Sequence, residues 1–203
     1  MVIKRGIVYE AIISMLDQGH PYATPVGFQI NDDKLVVRFY KGYRTHELLE
    51  KTLNPVLNIT RDPAVFFKAA FKAETGGLSL EDFIVDEVRG LVYLKNAEAH
   101  LVLKLKDIED HEDYSLFRYE VLEERVNQLE TLEPYTRCYS SLIELIIYAS
   151  KVKAWRNLTS SERTEVLRGV ESSTTTALKT CRDSSYMNLL RDLRELIESW
   201  LEQ

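Results

Sequence analysis

The hydrophobic period of this chain changes along its length, and that change sharply limits the folds open to it. His100-Leu101-Val102-Leu103-Lys104-Leu105-Lys106 alternates apolar and polar residues, the period of a half-buried strand. After Pro134 the spacing becomes helical: Leu142, Leu145, Ile146 and Ala149 recur on one face, and Leu189, Leu190, Leu193, Leu196 and Ile197 repeat the pattern. Strands followed by a run of helices specify an α+β chain with segregated parts, because a parallel α/β fold would alternate the two. At 203 residues there is room for two small domains. We set the boundary near Thr131, giving a strand-rich part over 1–130 and a helical part over 131–203.

Within the first part, Ile3 to Leu16 is rich in β-branched and apolar residues, and Asp17-Gln18-Gly19-His20-Pro21 supplies turn chemistry behind it. Val26 to Ile30, a turn at Asn31-Asp32-Asp33, and Leu35 to Tyr40 extend this into an antiparallel meander. Thr45 is placed to cap a short helix over His46 to Lys51. Val56 to Thr60 reads as a strand, and Asp62-Pro63 opens a helix over Ala64 to Lys72 that ends before Gly76-Gly77. Further strands are expected at Phe83 to Val85, Gly90 to Leu94, Glu98 to Leu105 and Leu116 to Glu124. In the helical part, the polar run Ser172 to Thr176 reads as a loop or helix cap.

Composition narrows the function. A net charge of −6 opposes duplex nucleic acid as the main partner, since such proteins carry a basic face to neutralise phosphates. The longest apolar run, Leu142 to Tyr148, is broken by Glu144 and falls far short of the roughly 20 residues that span a bilayer. The N-terminus lacks a signal-peptide pattern, so a cytoplasmic location is expected. Cys138 and Cys181 have no metal-ligand partners at suitable spacing and read as structural or incidental thiols. The four histidines are scattered, which gives no metal site. Glu109 to Asp113 is acidic and reads as a solvated connection.

The most informative stretch is Arg38-Phe39-Tyr40-Lys41-Gly42-Tyr43-Arg44-Thr45. Three cations, a glycine and a hydroxyl converge where a strand runs into a helix start. Helix-end amides favour an anion, Gly42 admits close backbone approach, and Arg44 can grip a phosphate bidentately. A solvated basic turn is the alternative. Tyr40 and Tyr43 straddle the loop, where either could bond phosphate or cover a ring, and His46 lies beside it. Tyr22-Ala23-Thr24-Pro25-Val26-Gly27 can leave backbone groups open to a flat ligand or form a plain barrel edge. No nucleophile with an activating base can be named.

These segments, together with Tyr9-Glu10-Ala11-Ile12 and Asn58-Ile59-Thr60-Arg61-Asp62-Pro63-Ala64-Val65-Phe66, resemble a largely archaeal family of FMN-binding split-barrel proteins related in fold to flavin reductases and pyridoxamine-phosphate oxidases. Tyr135 to Lys151 is similar to the first helix of that family's appended domain. The resemblance implies an N-terminal antiparallel split β-barrel with FMN as cofactor, followed by a small helical domain. Ala23, Thr24, Pro25, Val26 and Gly27 would lie along the isoalloxazine ring. Arg38, Lys41, Tyr43, Arg44 and Thr45 would surround the phosphate, with Tyr40 and Gly42 in the same loop, and Asn58 and Thr60 would flank the flavin. The family pattern also implies a homodimer and an oxidoreductase working with a small-molecule electron donor or acceptor such as NAD(P)H. A non-catalytic flavin-binding module and a cofactor-free dimeric scaffold are the rival readings. The sequence departs from the family at Ile13-Ser14 and His20-Pro21-Tyr22, and Thr24 separates Ala23 from Pro25.

Overall fold

A computed structural model describes residues 9–127, 137–181 and 183–202. Packing divides the chain into two compact units, Met1–Thr60 with Phe71–Glu130, and Arg61–Ala70 with Thr131–Gln203.

The first unit is a closed antiparallel barrel of six strands in the order β1-β2-β3-β8-β7-β4. Its strands are β1 (Tyr9–Asp17), β2 (His20–Asn31), β3 (Lys34–Tyr40), β4 (Val56–Ile59), β7 (Ala99–Asp110) and β8 (Tyr114–Val126). A hairpin of β5 (Phe83–Asp86) and β6 (Leu91–Leu94) forms a separate two-stranded sheet. The expected meander is present. Its two tight turns have positive φ at both central residues, Gln18 and Gly19 in one and Asp32 and Asp33 in the other, the mirror-image geometry that matches strand twist.

Alternation along each strand fills the barrel. Ala11, Ile13, Met15, Val26, Phe28, Leu35, Val37, Leu57, Leu101, Leu103, Phe117 and Tyr119 form the core, and Leu48 and Leu49 from helix α1 (Arg44–Lys51) pack into it. On the outer side, Val56, Leu91, Tyr93 and Val102 make a smaller cluster in which β6 covers β4 and β7. Helix α3 (Lys72–Thr75) leads to the left-handed pair Gly76 and Gly77.

The second unit comprises α2 (Pro63–Ala70), α4 (Arg137–Lys153), α5 (Ser160–Thr180) and α6 (Ser184–Leu201). Pro63 does begin its helix, with the Asp62 carboxylate accepting from the Ala64 amide. The helix stops at Ala70, short of the expected Lys72. Helix α5 opens with a capping box between Thr159 and Glu162. The boundary region around Thr131 and Pro134 lies outside the described residues.

Three sequence expectations are corrected here. Ser172 to Thr176 lies inside α5, where burial of Ser173 and Ala177 overrides the low helix preference of serine and threonine. Cys138 and Cys181 are joined in a disulfide with Cα atoms 4.9 Å apart, so neither is a free thiol. Helix α1 starts at Arg44 with Tyr43 as its cap and no side-chain capping bond, which places Thr45 inside the first turn.

Candidate functional site

Strand β2 pairs with the whole of β1 through its residues from His20 to Phe28. Its pairing with β3 runs only from Asn31↔Lys34 to Phe28↔Val37. Beyond that point β2 and β3 part, so no strand among the described residues pairs with the β3-side edge of β2 from Gly27 back to His20. Backbone groups along such an edge are available to a ligand with donors and acceptors in a row.

Alternation divides the predicted ring-binding residues. Val26 is a core residue, and Thr24 lies on the same side of the strand. Pro25 and Gly27 lie on the outer side. A surface cleft of about 310 Å³ opens there, lined by Gly27, Phe28, Gln29, Val36, Arg38 and Leu116. Its volume falls at the lower end of the range for small-molecule sites. Arg38 projects from the outer face of β3, and its guanidinium stacks 4.6 Å from the centre of the Tyr114 ring. It makes no ion pair among the described residues. Tyr40, 55% exposed, meets the same ring edge-on, and His111 stacks against it at 4.4 Å.

The loop that follows β3 is less open to an anion than its composition suggests. Gly42 has φ +83°, which only glycine adopts without strain, and so turns the chain into α1. Lys41 donates its amide to the Asp113 carbonyl and its ammonium sits 3.4 Å from Asp110. Arg44 binds Asp17 through both Nε and a terminal nitrogen, at 3.1 and 2.5 Å, and reaches Glu47 at 3.2 Å. These hydrogen bonds hold the Asp17 carboxyl below its ordinary range and raise the Arg44 guanidinium. Tyr43 is 61% exposed. Two of the three cations are thus already matched by carboxylates, and Arg38 alone of the three faces the cleft.

Thr45 is buried, and its hydroxyl lies 2.9 Å from the Tyr22 hydroxyl, which joins the two loops that the sequence singled out. His46 does not face the loop. It is buried with Nε2 2.8 Å from Ser115 Oγ, and Ser115 donates in turn to Asp110 at 2.6 Å. The Ser115 hydrogen bond, followed by the one from Lys41, lowers the Asp110 carboxyl. Asp110 therefore ties the β7–β8 hairpin to the start of α1, so the acidic run that reads as a simple connection has one residue with a fixed task.

Asn58 is fully buried. Its amide donates to the Ile12 carbonyl and Ser14 Oγ, and its oxygen accepts from the Leu94 amide at 2.8 Å. That amide is fully used in joining β4, β1 and β6, and it presents nothing to the surface. Thr60 is also buried, at the end of β4.

Sequence reasoning missed Gln29, Val36 and Leu116 in the cleft, as well as Tyr114, Ser115 and Asp110 behind the loop. Strand alternation could have found the first three, since they share the outward parity of Gly27 and Arg38 across the ladder. It also missed Lys72, whose ammonium lies 4.5 Å from the centre of the Tyr22 ring and whose basicity burial lowers to about 8. Among the described residues no group of three or more His, Cys, Asp or Glu side chains is arranged to hold a metal, and no helix is long and apolar enough to cross a membrane.

Six antiparallel strands closed into a barrel and followed by helices define an α+β split barrel of flavin reductase-like fold. The sequence matches the N-terminal domain of DUF447, a family of proteins of unknown function, over residues 9–128, and the chain belongs to that family. The fold is similar to that of an FMN-bound DUF447 protein from Methanosarcina mazei, with TM-score 0.79 and 20% identity over 96% of both chains. An NADH:FAD oxidoreductase of Streptomyces globisporus aligns with TM-score 0.51 and 12% identity, over 63% of this chain and 82% of its own. The flavin reductase PheA2 aligns with TM-score 0.50 and 16% identity, over 60% and 80%. A comparison with curated protein sequences gives no match.

Proposed function

We propose that this protein binds FMN on the outer face of its barrel, along the free edge of β2, and works as a cytosolic flavin-dependent oxidoreductase. The observation that carries the reading is the parting of β2 and β3 beside Gly27 and Arg38. It leaves a row of backbone donors and acceptors next to a cation that no carboxylate among the described residues neutralises. The ring would lie against Pro25 and Gly27, with Arg38 at the cleft and the phosphate toward Gly42, Tyr43 and Thr45. Thr24, Val26, Tyr40, Lys41 and Arg44 would shape this surface rather than provide its main contacts, and Asn58 and Thr60 would support it from behind.

The residues that line the cleft fit such a group in their chemistry. The cleft mixes an apolar floor, Val36 and Leu116, with a polar rim, Gln29 and Arg38, as ligand sites commonly do. FMN, when bound, supplies reversible electron transfer, while the protein's part is to hold and orient it and to set the charge around it. The name of a similar barrel, an NADH:FAD oxidoreductase, suggests a nicotinamide nucleotide as electron donor, and a second copy of the chain is proposed as the partner that completes the pocket.

A second reading is favoured by the carboxylates on Lys41 and Arg44. With two of its three cations occupied, the loop would hold phosphate weakly, and the barrel would serve as a non-catalytic flavin carrier or a dimeric scaffold. Visible absorption separates the readings. Purified protein incubated with FMN and freed of excess ligand is expected to retain a flavin band that bleaches with NADH and recovers in air. A band that NADH does not bleach favours the carrier, and a colourless protein that shows no binding on titration favours the scaffold.

A further inference from the structure

Arg38 lines the cleft, and its guanidinium meets no carboxylate among the described residues. The neighbouring cations differ. Arg118, opposite Val36 across β3 and β8, is bound to Asp107 and Glu109, while Lys41 and Arg44 are matched by Asp110, Asp17 and Glu47. What fixes Arg38 is an aromatic ring and not a counter-charge: its guanidinium lies 4.6 Å from the centre of the Tyr114 ring. Tyr114 pairs with Tyr40, which makes it the diagonal neighbour of Arg38 on the ladder. Its ring is stacked on His111 at 4.4 Å, with 22° between the planes, and Tyr40 meets it edge-on at 6.3 Å. The His111 amide also donates to the Tyr114 carbonyl at 2.9 Å, so backbone and side chains close the same unit. An aromatic face holds a guanidinium in place without neutralising it.

We infer that Arg38 is the residue by which the cleft favours the reduced, anionic flavin over the oxidised one, and that Tyr114 is the positioning residue that holds it there. This rests on the FMN reading above. Oxidised FMN has a neutral ring. Uptake of two electrons and one proton, delivered together as hydride by a nicotinamide donor that leaves as its pyridinium, gives the ring one negative charge. The phosphate is the same in both forms, so cations beside it do not tell them apart. A cation beside the ring does, because it attracts the charge that only the reduced form carries. Arg38 already stands in the cleft, so nothing has to rearrange as that charge appears. It is exposed, which keeps the effect moderate, and a flat ring laid over Val36 and Leu116 would take water away from it and strengthen the attraction.

The test is the midpoint potential of bound FMN, read from the flavin band while the protein equilibrates with a reference redox dye. In Arg38→Gln reduced FMN is expected to lose about tenfold more affinity than oxidised FMN, which lowers the potential by about 30 mV for a two-electron couple. Arg38→Lys should keep most of the wild-type value. Tyr114→Leu leaves the cation but removes the ring beneath it and should lower the potential by less, while Tyr114→Phe, which keeps the ring face, should restore it. An unchanged or raised potential in Arg38→Gln would overturn the inference. So would an equal loss of both forms of FMN, partial or complete, since Arg38 would then hold the cofactor without regard to its redox state. A wild-type potential in Tyr114→Leu would overturn the role of Tyr114. A wild type that retains no flavin band fails the FMN reading and this inference with it, whereas a retained band with equal potentials in wild type and Arg38→Gln fails this inference alone.

Discussion

The barrel and the helical unit are held together by different means. In the barrel each strand is hydrogen-bonded on both sides around a closed ring, and the side chains between them form one continuous core. The helical unit has no such closure and instead links Cys138, in the first turn of α4, to Cys181, just after α5. Its helices also approach closely at Gly169, where an added β-carbon would fall 2.2 Å from the Tyr148 ring. The difference teaches where each unit is vulnerable: the barrel through its buried polar ties, the helical unit through its cross-link and its tightest helix contact.

The largest expected effect separates the two units most cleanly. Replacing both cysteines with serine should destabilise the helical unit by about 4 kcal/mol, the loop-entropy figure for a cross-link across 43 residues. Denaturant unfolding should then split, with the helical signal lost first and flavin binding by the barrel retained. Simultaneous loss of both would show that the barrel depends on the cross-link.

In the barrel, Asn58→Ala should cost about 3 kcal/mol, because it orphans the Leu94 amide and removes the ties to Ile12 and Ser14. Urea melts would check it. A stable variant with weakened FMN binding would instead place Asn58 at the ligand. Gly169→Ala should cost the helical unit about 2 kcal/mol through overpacking against Tyr148, measurable as a lower melting temperature with unchanged flavin binding.

The smallest effect is a pH dependence. Lys72 has a folded-state value of about 8 against an ordinary one of 10.5, so between those limits the unfolded chain binds more protons than the folded one. Wild-type stability should therefore gain on that of Lys72→Met as pH rises through this window, and the two should keep a constant difference below it. Paired urea melts at pH 7 and pH 10 read this directly, and an unchanged difference would mean that burial does not disfavour the charged lysine.

The features of the fold that are legible in the sequence are local. The Gln18-Gly19 and Asp32-Asp33 turns, Pro63 at a helix start and the strand through His100 to Leu105 each declare themselves within a few residues, although that strand is buried on both faces as far as Leu103 and not on one as its alternation predicts. Gly42 and Arg38 were found in the same way, from a strand that runs into a helix. What was missed depends on distant partners. Asn58 finds its acceptors and donors 36 and 44 positions away, and the two cysteines are 43 apart. The pairing of Arg44 with Asp17, 27 positions back, gives that guanidinium a carboxylate partner that the local sequence does not disclose. Composition places charges along the chain, but only the closed barrel determines which of them meet.

The most direct test of the central claim is the structure of the protein with FMN at saturating concentration. The isoalloxazine ring is expected along β2 beside Gly27 and Arg38, with the phosphate near Thr45. A flavin bound at any other place on the chain, or a β2 edge still empty at saturation, would contradict it.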